Sequence, residues 1–389
     1  MRVIHVCAYY APAYTYGGPA RSVHTLCLAQ QALGMDVEVF TTTAAGRERL
    51  EASPDGRLFE GVRVRYFELS RPSALLGACD LGPALGQALA DADVVHLHGL
   101  FNRTIWDAAA RVHAHGARYV LSPRGMLQAS ALAHHRWRKR AAWRLRDRAI
   151  VCRADILHAT SSSERETLRQ FDRPSVVLIP NPVIGERVTS DEAIATRRAL
   201  HIDEHAPIVL SLGRLHRIKR LDLVVAAFRE LWARVPAARL IVAGPDEHGL
   251  QMALEAALGP ARSATQFLGT VDGASKSRLL AASTVLVQAS DSESFGMSVA
   301  EALATGIPVV VTRTCPWEDI EKWQCGFWVP QSSDAIAAAL RRVIGNPGLA
   351  AEQGNAGRRL ADERFSPRAV ATAWHEVYQQ LALLTPTAA

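Results

Sequence analysis

Glu293 and Glu301 lie eight positions apart in DSESFGMSVAEALATGIPVVVT, the segment from Asp291 to Thr312. A strand-like run, STVLVQ, precedes them, and a Ser-Phe-Gly turn separates them. If a helix begins at Ser298, its first amide groups point back at that turn. A helix start carries partial positive charge and unsatisfied N–H donors, so it favours a phosphate. Gly296 lets the backbone come close to such a ligand. Eight residues at about 1.5 Å each separate the carboxylates by roughly 12 Å if the stretch is helical. A ligand gripped at both ends is therefore extended, with hydroxyls at the carboxylates and its anionic part between them. A sugar, a diphosphate and a ribose in that order fit. The competing reading is a capping loop followed by an ordinary acidic helix residue.

Upstream, SLGRLHRIKRLD (211–222) follows a strand and opens a helix. Arg214 falls in the loop and Lys219 in the first turn. Two cations at a strand's carboxyl end can neutralise a departing diphosphate. A solvated basic helix start is the alternative.

The first half of the chain offers a second set. YAPAYTYGGPARSVHTL places Gly17, Gly18 and Pro19 between a strand and a helix, a glycine loop at a helix start. It is not GxGxxG, so the dinucleotide fingerprint is absent. DVVHLHGLF ends a strand with His96 and His98 on one face. No cysteine or carboxylate cluster follows them at ligand spacing, so a metal site is not expected. His96 reads as a satisfied core histidine. Asp91–Asp93 resemble a metal-binding Asp-x-Asp but precede their strand, at the end away from the expected site.

HHRWRKRAAWRLRDR (134–148) carries seven cations and one acid. Its net +6 equals that of the whole protein. On a straight helix Trp137, Ala141, Leu145 and Ala149 form an inward stripe, leaving Trp143 on the basic face with Arg136, Arg140 and Arg144. Such a face suits an anionic membrane surface, or it is a solvated charged helix. No nucleic-acid recognition motif accompanies it.

These residues need a scaffold. The chain has 389 residues, more than one core usually serves, with 49% hydrophobic and 21% charged residues. Its pI of about 9.2 suits anionic ligands. Strand-like runs such as RVIHVCA, VEVFTT, DVVHLH, PIVLSLG and IPVVVT alternate with helical stretches, which predicts an α/β fold of parallel sheets covered on both faces. IPNPVIGERVTSDE (179–192) breaks the rhythm and reads as a linker. Three regions follow: 1–183 and 184–366 as doubly wound Rossmann-like domains, and 367–389 as a terminal helix packing back on the first. Ligands are expected at the carboxyl ends of the strands. The six scattered cysteines read as free thiols of a reducing cytoplasm. The N-terminus lacks the features of a signal peptide, and no apolar run is long enough to span a membrane.

GRLHRIK together with ESFGMSVAEALATGIPVVVT resembles the retaining glycosyltransferases of family 4, which have the GT-B fold. VLIPNPV resembles that family's interdomain segment. The resemblance implies two facing Rossmann-like domains with a cleft between them, the first binding acceptor and the second nucleotide sugar. It implies that Glu293 touches the donor hexose, Glu301 the ribose, and Arg214 and Lys219 the diphosphate. Amides of Phe295, Gly296 and Met297 would lie near the sugar and phosphates. Gly17 and Gly18 would close over the phosphates, and His98 would contact the donor sugar. LSPRGML (121–127) departs from the family's Thr-x-His loop, placing Arg124 on the acceptor side. Pro-Arg-Gly-Met is similar to the subset that builds bacterial surface polysaccharides.

The expectation is a retaining, metal-independent hexosyltransferase without a cofactor. It would use a nucleotide-diphosphate sugar, take a glycan or lipid-linked oligosaccharide as acceptor, and sit at the cytoplasmic membrane face. A GT-B epimerase or phosphorylase, or a non-catalytic sugar-nucleotide scaffold, are the alternatives.

Overall fold

The computed structural model describes residues 1–71, 73–133, 136–171 and 174–383. They divide into two compact units: Met1–Pro182 together with the chain from Pro367, and Val183–Ser366.

Among the described residues the first unit holds ten strands: β1 Arg2–Cys7, β2 Asp36–Thr42, β3 Ala44–Ala45, β4 Glu48–Arg49, β5 Ser53–Phe59, β6 Val62–Phe67, β7 Val94–His98, β8 Tyr119–Ser122, β9 Ile156–Ala159 and β10 Ser175–Leu178. Eight of them form one sheet in the order β10-β9-β8-β7-β1-β2-β6-β5, while β3 and β4 pair separately. The eight-stranded sheet is parallel apart from β5, which runs antiparallel to β6. Every residue of β7 is buried, as expected for a central strand covered on both faces. Strand β1 lies between β2 and β7, so the winding direction reverses at β1/β7. β5 was not legible as a strand, because SPDGRLF carries Pro54 and Gly56. Both residues are tolerated there because β5 is an edge strand with an irregular register.

The second unit holds β11 Ile208–Leu212, β12 Arg239–Ala243, β13 Thr265–Gly269, β14 Val285–Gln288, β15 Val309–Thr312 and β16 Gly326–Val329. All pairs are parallel, in the order β13-β12-β11-β14-β15-β16. This is the doubly wound arrangement, and its direction reverses between β11 and β14. The loops leaving those two strands carry Arg214, Lys219 and Glu293.

The terminal helix Pro367–Leu383 buries Val370, Ala371, Trp374, Tyr378 and Leu381, one stripe at helical spacing. It packs on helix Gly18–Ala32 and on β7 of the first unit. Trp374 and Tyr378 are almost fully buried. Burying a large apolar side chain is worth about 1.5–3 kcal/mol, so this stripe holds the helix in place. Among the described residues no helix is long and apolar enough to cross a membrane.

The basic segment corrects the expected orientation. His134 and His135 lie outside the described residues. Helix Arg136–Ala142 is followed by a π-helical turn, Trp143–Asp147, and by helix Arg148–Arg153. Trp137 is 73% exposed and Leu145 80% exposed, whereas Trp143 is half-buried against Phe171. The inward face is therefore Trp143, Asp147, Ile150 and Val151. Asp147 is drawn inside by two donors, the Phe101 amide at 2.9 Å and Trp106 Nε1 at 3.1 Å. The π turn breaks the register that a straight helix would have carried from Trp137. Arg136, Arg140 and Arg144 are exposed, beside Trp137, Ala141 and Leu145 rather than beside Trp143.

Candidate functional site

In the second unit, His216 caps the short 3-10 turn Arg217–Lys219: its Nδ1 accepts from the Ile218 amide at 3.1 Å. The Asp291 amide donates to the Ile218 carbonyl at 2.7 Å, joining the loop after β11 to the loop after β14. This juxtaposition brings Lys219 onto Glu293 as a direct ion pair. Ser290 Oγ donates to the same carboxylate at 2.9 Å. Both charged side chains are largely withdrawn from water, at 23% and 15% exposure. A pocket here is lined by Gly213, Arg214, Lys219, Gln288 and Ser290.

Helix Met297–Thr305 begins beyond Gly296. Gly296 has φ +88°, and a Cβ there would come within 2.8 Å of Trp317 Nε1, so any side chain would be both strained and obstructed. Ser298 Oγ donates to Gln288 Oε1 at 2.7 Å, and buried Phe295 packs on Trp317 and Phe365. The helix start is thereby fixed against β14. Glu301 lies one turn inside the helix and does not join the Lys219 pair. It accepts from Lys276 Nζ at 2.5 Å, on helix Gly273–Ala282. Arg214 also stands apart, paired with Glu247 at 3.0 Å on the exposed side of its loop.

Lys276 was missed by the sequence reading. A signal existed: the chain has only four lysines among its 44 Lys and Arg residues. Two of them sit on Glu293 and Glu301, where a compact ammonium with three rotatable donors differs from a guanidinium fork.

In the first unit, Gly17 has φ +87° and leads into helix Gly18–Ala32, with Pro19 in its first turn. Tyr9 stacks on Tyr16 at 4.2 Å between ring centres, and Arg21 lies over Tyr14. His98 ends β7. Both of its ring nitrogens are engaged: Nε2 with His5 Nδ1 at 2.9 Å, and Nδ1 with Arg124 Nη2 at 3.1 Å. Arg124 also donates to Asn181 Oδ1 at 2.7 Å and Ser22 Oγ at 3.1 Å. Its backbone is in the left-handed region, φ +56°, which is uncommon for a residue with a side chain. The following Gly125 amide donates to buried Glu164 at 2.5 Å. Asp93 accepts from the Arg2 amide at 2.7 Å and Asp91 pairs with the Arg2 side chain, at the amino end of β1. These aspartates hold the sheet and stand away from the strand ends that carry the candidate residues.

His5, His96 and His98 are buried, and one nitrogen of each lies within 4.8 Å of the others. That spacing alone would admit a metal. However, every ring nitrogen of the three already has a hydrogen-bond partner: His96 lies between Ser122 Oγ and the Tyr378 hydroxyl, at 2.6 Å from each, and His5 Nε2 meets Gln30 at 2.8 Å. Burial pulls His5 down to about 4, with Gln30 opposing, and His158 down to about 3. Burial likewise holds His96 and His98 well below the usual histidine range. All four rings are neutral near pH 7.

Two family models match the chain: Glycosyl transferase 4-like domain over residues 17–182, and Glycosyl transferases group 1 over residues 193–360. A D-inositol 3-phosphate glycosyltransferase of Streptomyces avermitilis is 30% identical, covering 97% of this chain and 86% of the relative. The structure is similar to sucrose-phosphate synthase of Thermosynechococcus elongatus, with TM-score 0.76, 21% identity and 98% and 99% of the two chains covered. It is also similar to Anabaena HepE in complex with UDP and glucose, with TM-score 0.75, 17% identity and 98% and 100% covered. With both halves matched and a relative aligned over nearly its full length, this chain belongs to the family 4 type of glycosyltransferases and has the GT-B fold.

Proposed function

We propose that this glycosyltransferase is a retaining hexosyltransferase. It takes a hexosyl unit from a nucleotide-diphosphate sugar and places it on an acceptor hydroxyl, on a lipid-linked glycan of surface-polysaccharide synthesis. The observation that carries this reading is the Lys219–Glu293 pair at the point where the second sheet reverses direction, the place where open α/β sheets bind ligands. The similar Anabaena structure is a complex with UDP and glucose, which supports a nucleotide-sugar donor here.

The difficult step is departure of a diphosphate from an oxocarbenium-like carbon. Lys219 has three donors and can serve Glu293 and a phosphate oxygen together. Arg214 swings from Glu247 to the same diphosphate, and the amides of Phe295, Gly296 and Met297 at the helix start add fixed positive potential. Glu293 accepts from hexose hydroxyls, while Glu301, positioned by Lys276, accepts from the ribose. The departing phosphate takes the acceptor's proton on the same face, so no metal or cofactor is required. Gly17 and Gly18, at the start of helix Gly18–Ala32, offer backbone to a phosphate, and Arg124 serves the acceptor.

The exposed row Trp137, Ala141 and Leu145, flanked by Arg136, Arg140 and Arg144, supports a second element of the reading: docking at an anionic membrane surface beside a lipid-linked acceptor.

The test is a panel of UDP-, GDP- and ADP-sugars with a lipid-linked acceptor, followed by NMR of the product. An α-linked donor giving an α-linked product is expected. A β-linked product overturns retention. Interconversion of the nucleotide sugar without an acceptor favours an epimerase, and binding without turnover favours a scaffold.

A further inference from the structure

Beneath the first sheet, eight hydrogen bonds connect Arg124 to the carbonyl of Ile179. From Arg124 Nη2 the chain passes to His98 (3.1 Å), His5 (2.9 Å), Gln30 (2.8 Å) and Tyr378 (3.3 Å). It continues through His96, Ser122 and His158, each step 2.6 Å, and ends at the Ile179 oxygen at 2.7 Å. The side chains it threads, His98, His5, Gln30, Tyr378, His96, Ser122 and His158, are all buried.

The two ends determine the direction. A guanidinium only donates, and a carbonyl only accepts. The Ile179 oxygen requires His158 to carry its proton on Nε2, so His158 Nδ1 accepts from Ser122. Ser122 then accepts from His96 Nε2–H, and His96 Nδ1 accepts from the Tyr378 hydroxyl. Tyr378 in turn accepts from the Gln30 amide nitrogen, which leaves the Gln30 oxygen to accept from His5 Nε2–H. His5 Nδ1 accepts from His98 Nε2–H, and His98 Nδ1 accepts from Arg124. Reading from the Arg124 end gives the same assignment at every step. The reverse polarity would set a His158 lone pair against the Ile179 oxygen and a His98 N–H against an Arg124 N–H. Both clashes would be buried, and a buried unsatisfied polar group costs about 1–3 kcal/mol.

We infer that Tyr378, Gln30 and His5 are positioning residues for Arg124: their one-way chain locks His98 as its Nε2–H tautomer, whose Nδ1 lone pair holds the guanidinium in place. The inference rests on the reading of Arg124 as the acceptor-side residue. Three of the guanidinium's donors are used, on His98, Asn181 and Ser22, while its buried Nε has no hydrogen-bond partner among the described residues. A guanidinium held this firmly keeps its partly exposed side chain in place for an acceptor oxygen, either a phosphate or a hydroxyl. The terminal helix thereby becomes part of the acceptor site's machinery, because Tyr378 joins the two halves of the hydrogen-bond chain. Without its hydroxyl, turning Gln30, His5 and His98 over costs one buried mismatch, at Arg124, instead of two, and the guanidinium can relieve that one by moving off His98.

The tautomers are read by long-range ¹⁵N–¹H spectra of the full chain labelled at histidine, with the His98 signal assigned by its loss in His98→Gln. The wild type at pH 7 is expected to show His5, His96, His98 and His158 as single neutral Nε2–H forms. His98 found as Nδ1–H or as imidazolium overturns the inference. Tyr378→Phe and the near-isosteric Gln30→Met should each give a second His98 tautomer. Each should also lower kcat about 10-fold, as misplacement of a positioned group does, with donor KM moved by no more than about twofold. Folded variants with an unchanged His98 spectrum and unchanged kcat overturn it, and Gln30→Met decides if Tyr378→Phe does not fold. Absence of sugar transfer, with the tautomers as described, contradicts the acceptor-site reading alone.

Discussion

Lys219 and Glu293, 74 residues apart in sequence, form a direct ion pair across the loops that follow β11 and β14. The pair exists because strand order places those two strand ends side by side, and because the Asp291 amide on the Ile218 carbonyl ties the loops together. A cation and an anion held this way are preorganised for a ligand that carries both hydroxyls and phosphates.

Glu301 repeats the arrangement with Lys276. A ribose contact, the role proposed for Glu301, is the same in the ground and transition states, so it affects binding more than rate. Lys276→Ala and Glu301→Ala are expected to raise donor KM about 10-fold while kcat changes by no more than about twofold. The double variant should be little worse than the worse single one, since the two act as a unit. Steady-state kinetics with donor varied checks this, and a collapse of kcat in either single variant contradicts it.

In the proposed mechanism Arg214, Lys219 and the helix start beyond Gly296 supply the positive charge that a divalent ion supplies elsewhere. Transfer should therefore persist in excess EDTA. Loss of activity with EDTA, restored by Mg²⁺ or Mn²⁺, contradicts the assignment.

The π turn at Trp143–Asp147 changes which residues face outward, and with them the membrane prediction. Each cation near an anionic surface contributes about 1 kcal/mol, so three give a weak, salt-sensitive association. Binding to anionic vesicles should fall when Arg136, Arg140 and Arg144 become Gln, and fall again in Trp137→Ala. Trp143→Ala should instead lower thermal stability, because a fully buried Trp→Ala change costs about 3–5 kcal/mol and a half-buried one roughly half of that. Vesicle sedimentation and melting curves separate the two tryptophans. Equal binding to neutral and anionic vesicles leaves the segment as a solvated face.

The alternation of strands and helices was legible because parallel strands buried on both faces read as apolar runs, as in VVHLH and VVVT. The placing of Lys219 and Glu293 at neighbouring strand ends was legible because loop residues there carry their chemistry in short local patterns, whereas Arg214 stands apart on Glu247. Lys276 was not, since its partner lies 25 positions away on another helix. Trp137 and Trp143 were exchanged because helical periodicity assumes an unbroken register, and Asp147 breaks it for two N–H donors. The chain through Gln30 and Tyr378 was invisible: the two residues are 348 positions apart, and only the returning terminal helix brings them together.

The central claim, that Lys219 and Glu293 act on the reacting donor, is tested most directly by kcat with saturating donor in Lys219→Ala, Glu293→Ala and the isosteric Glu293→Gln. Loss of a preorganised charged group of this kind lowers turnover about 10²-fold or more. Both alanine variants are expected to fall that far, and Glu293→Gln should remain well below wild type because the amide cannot hold Lys219 by charge. Turnover close to wild type in folded Glu293→Ala would contradict the account.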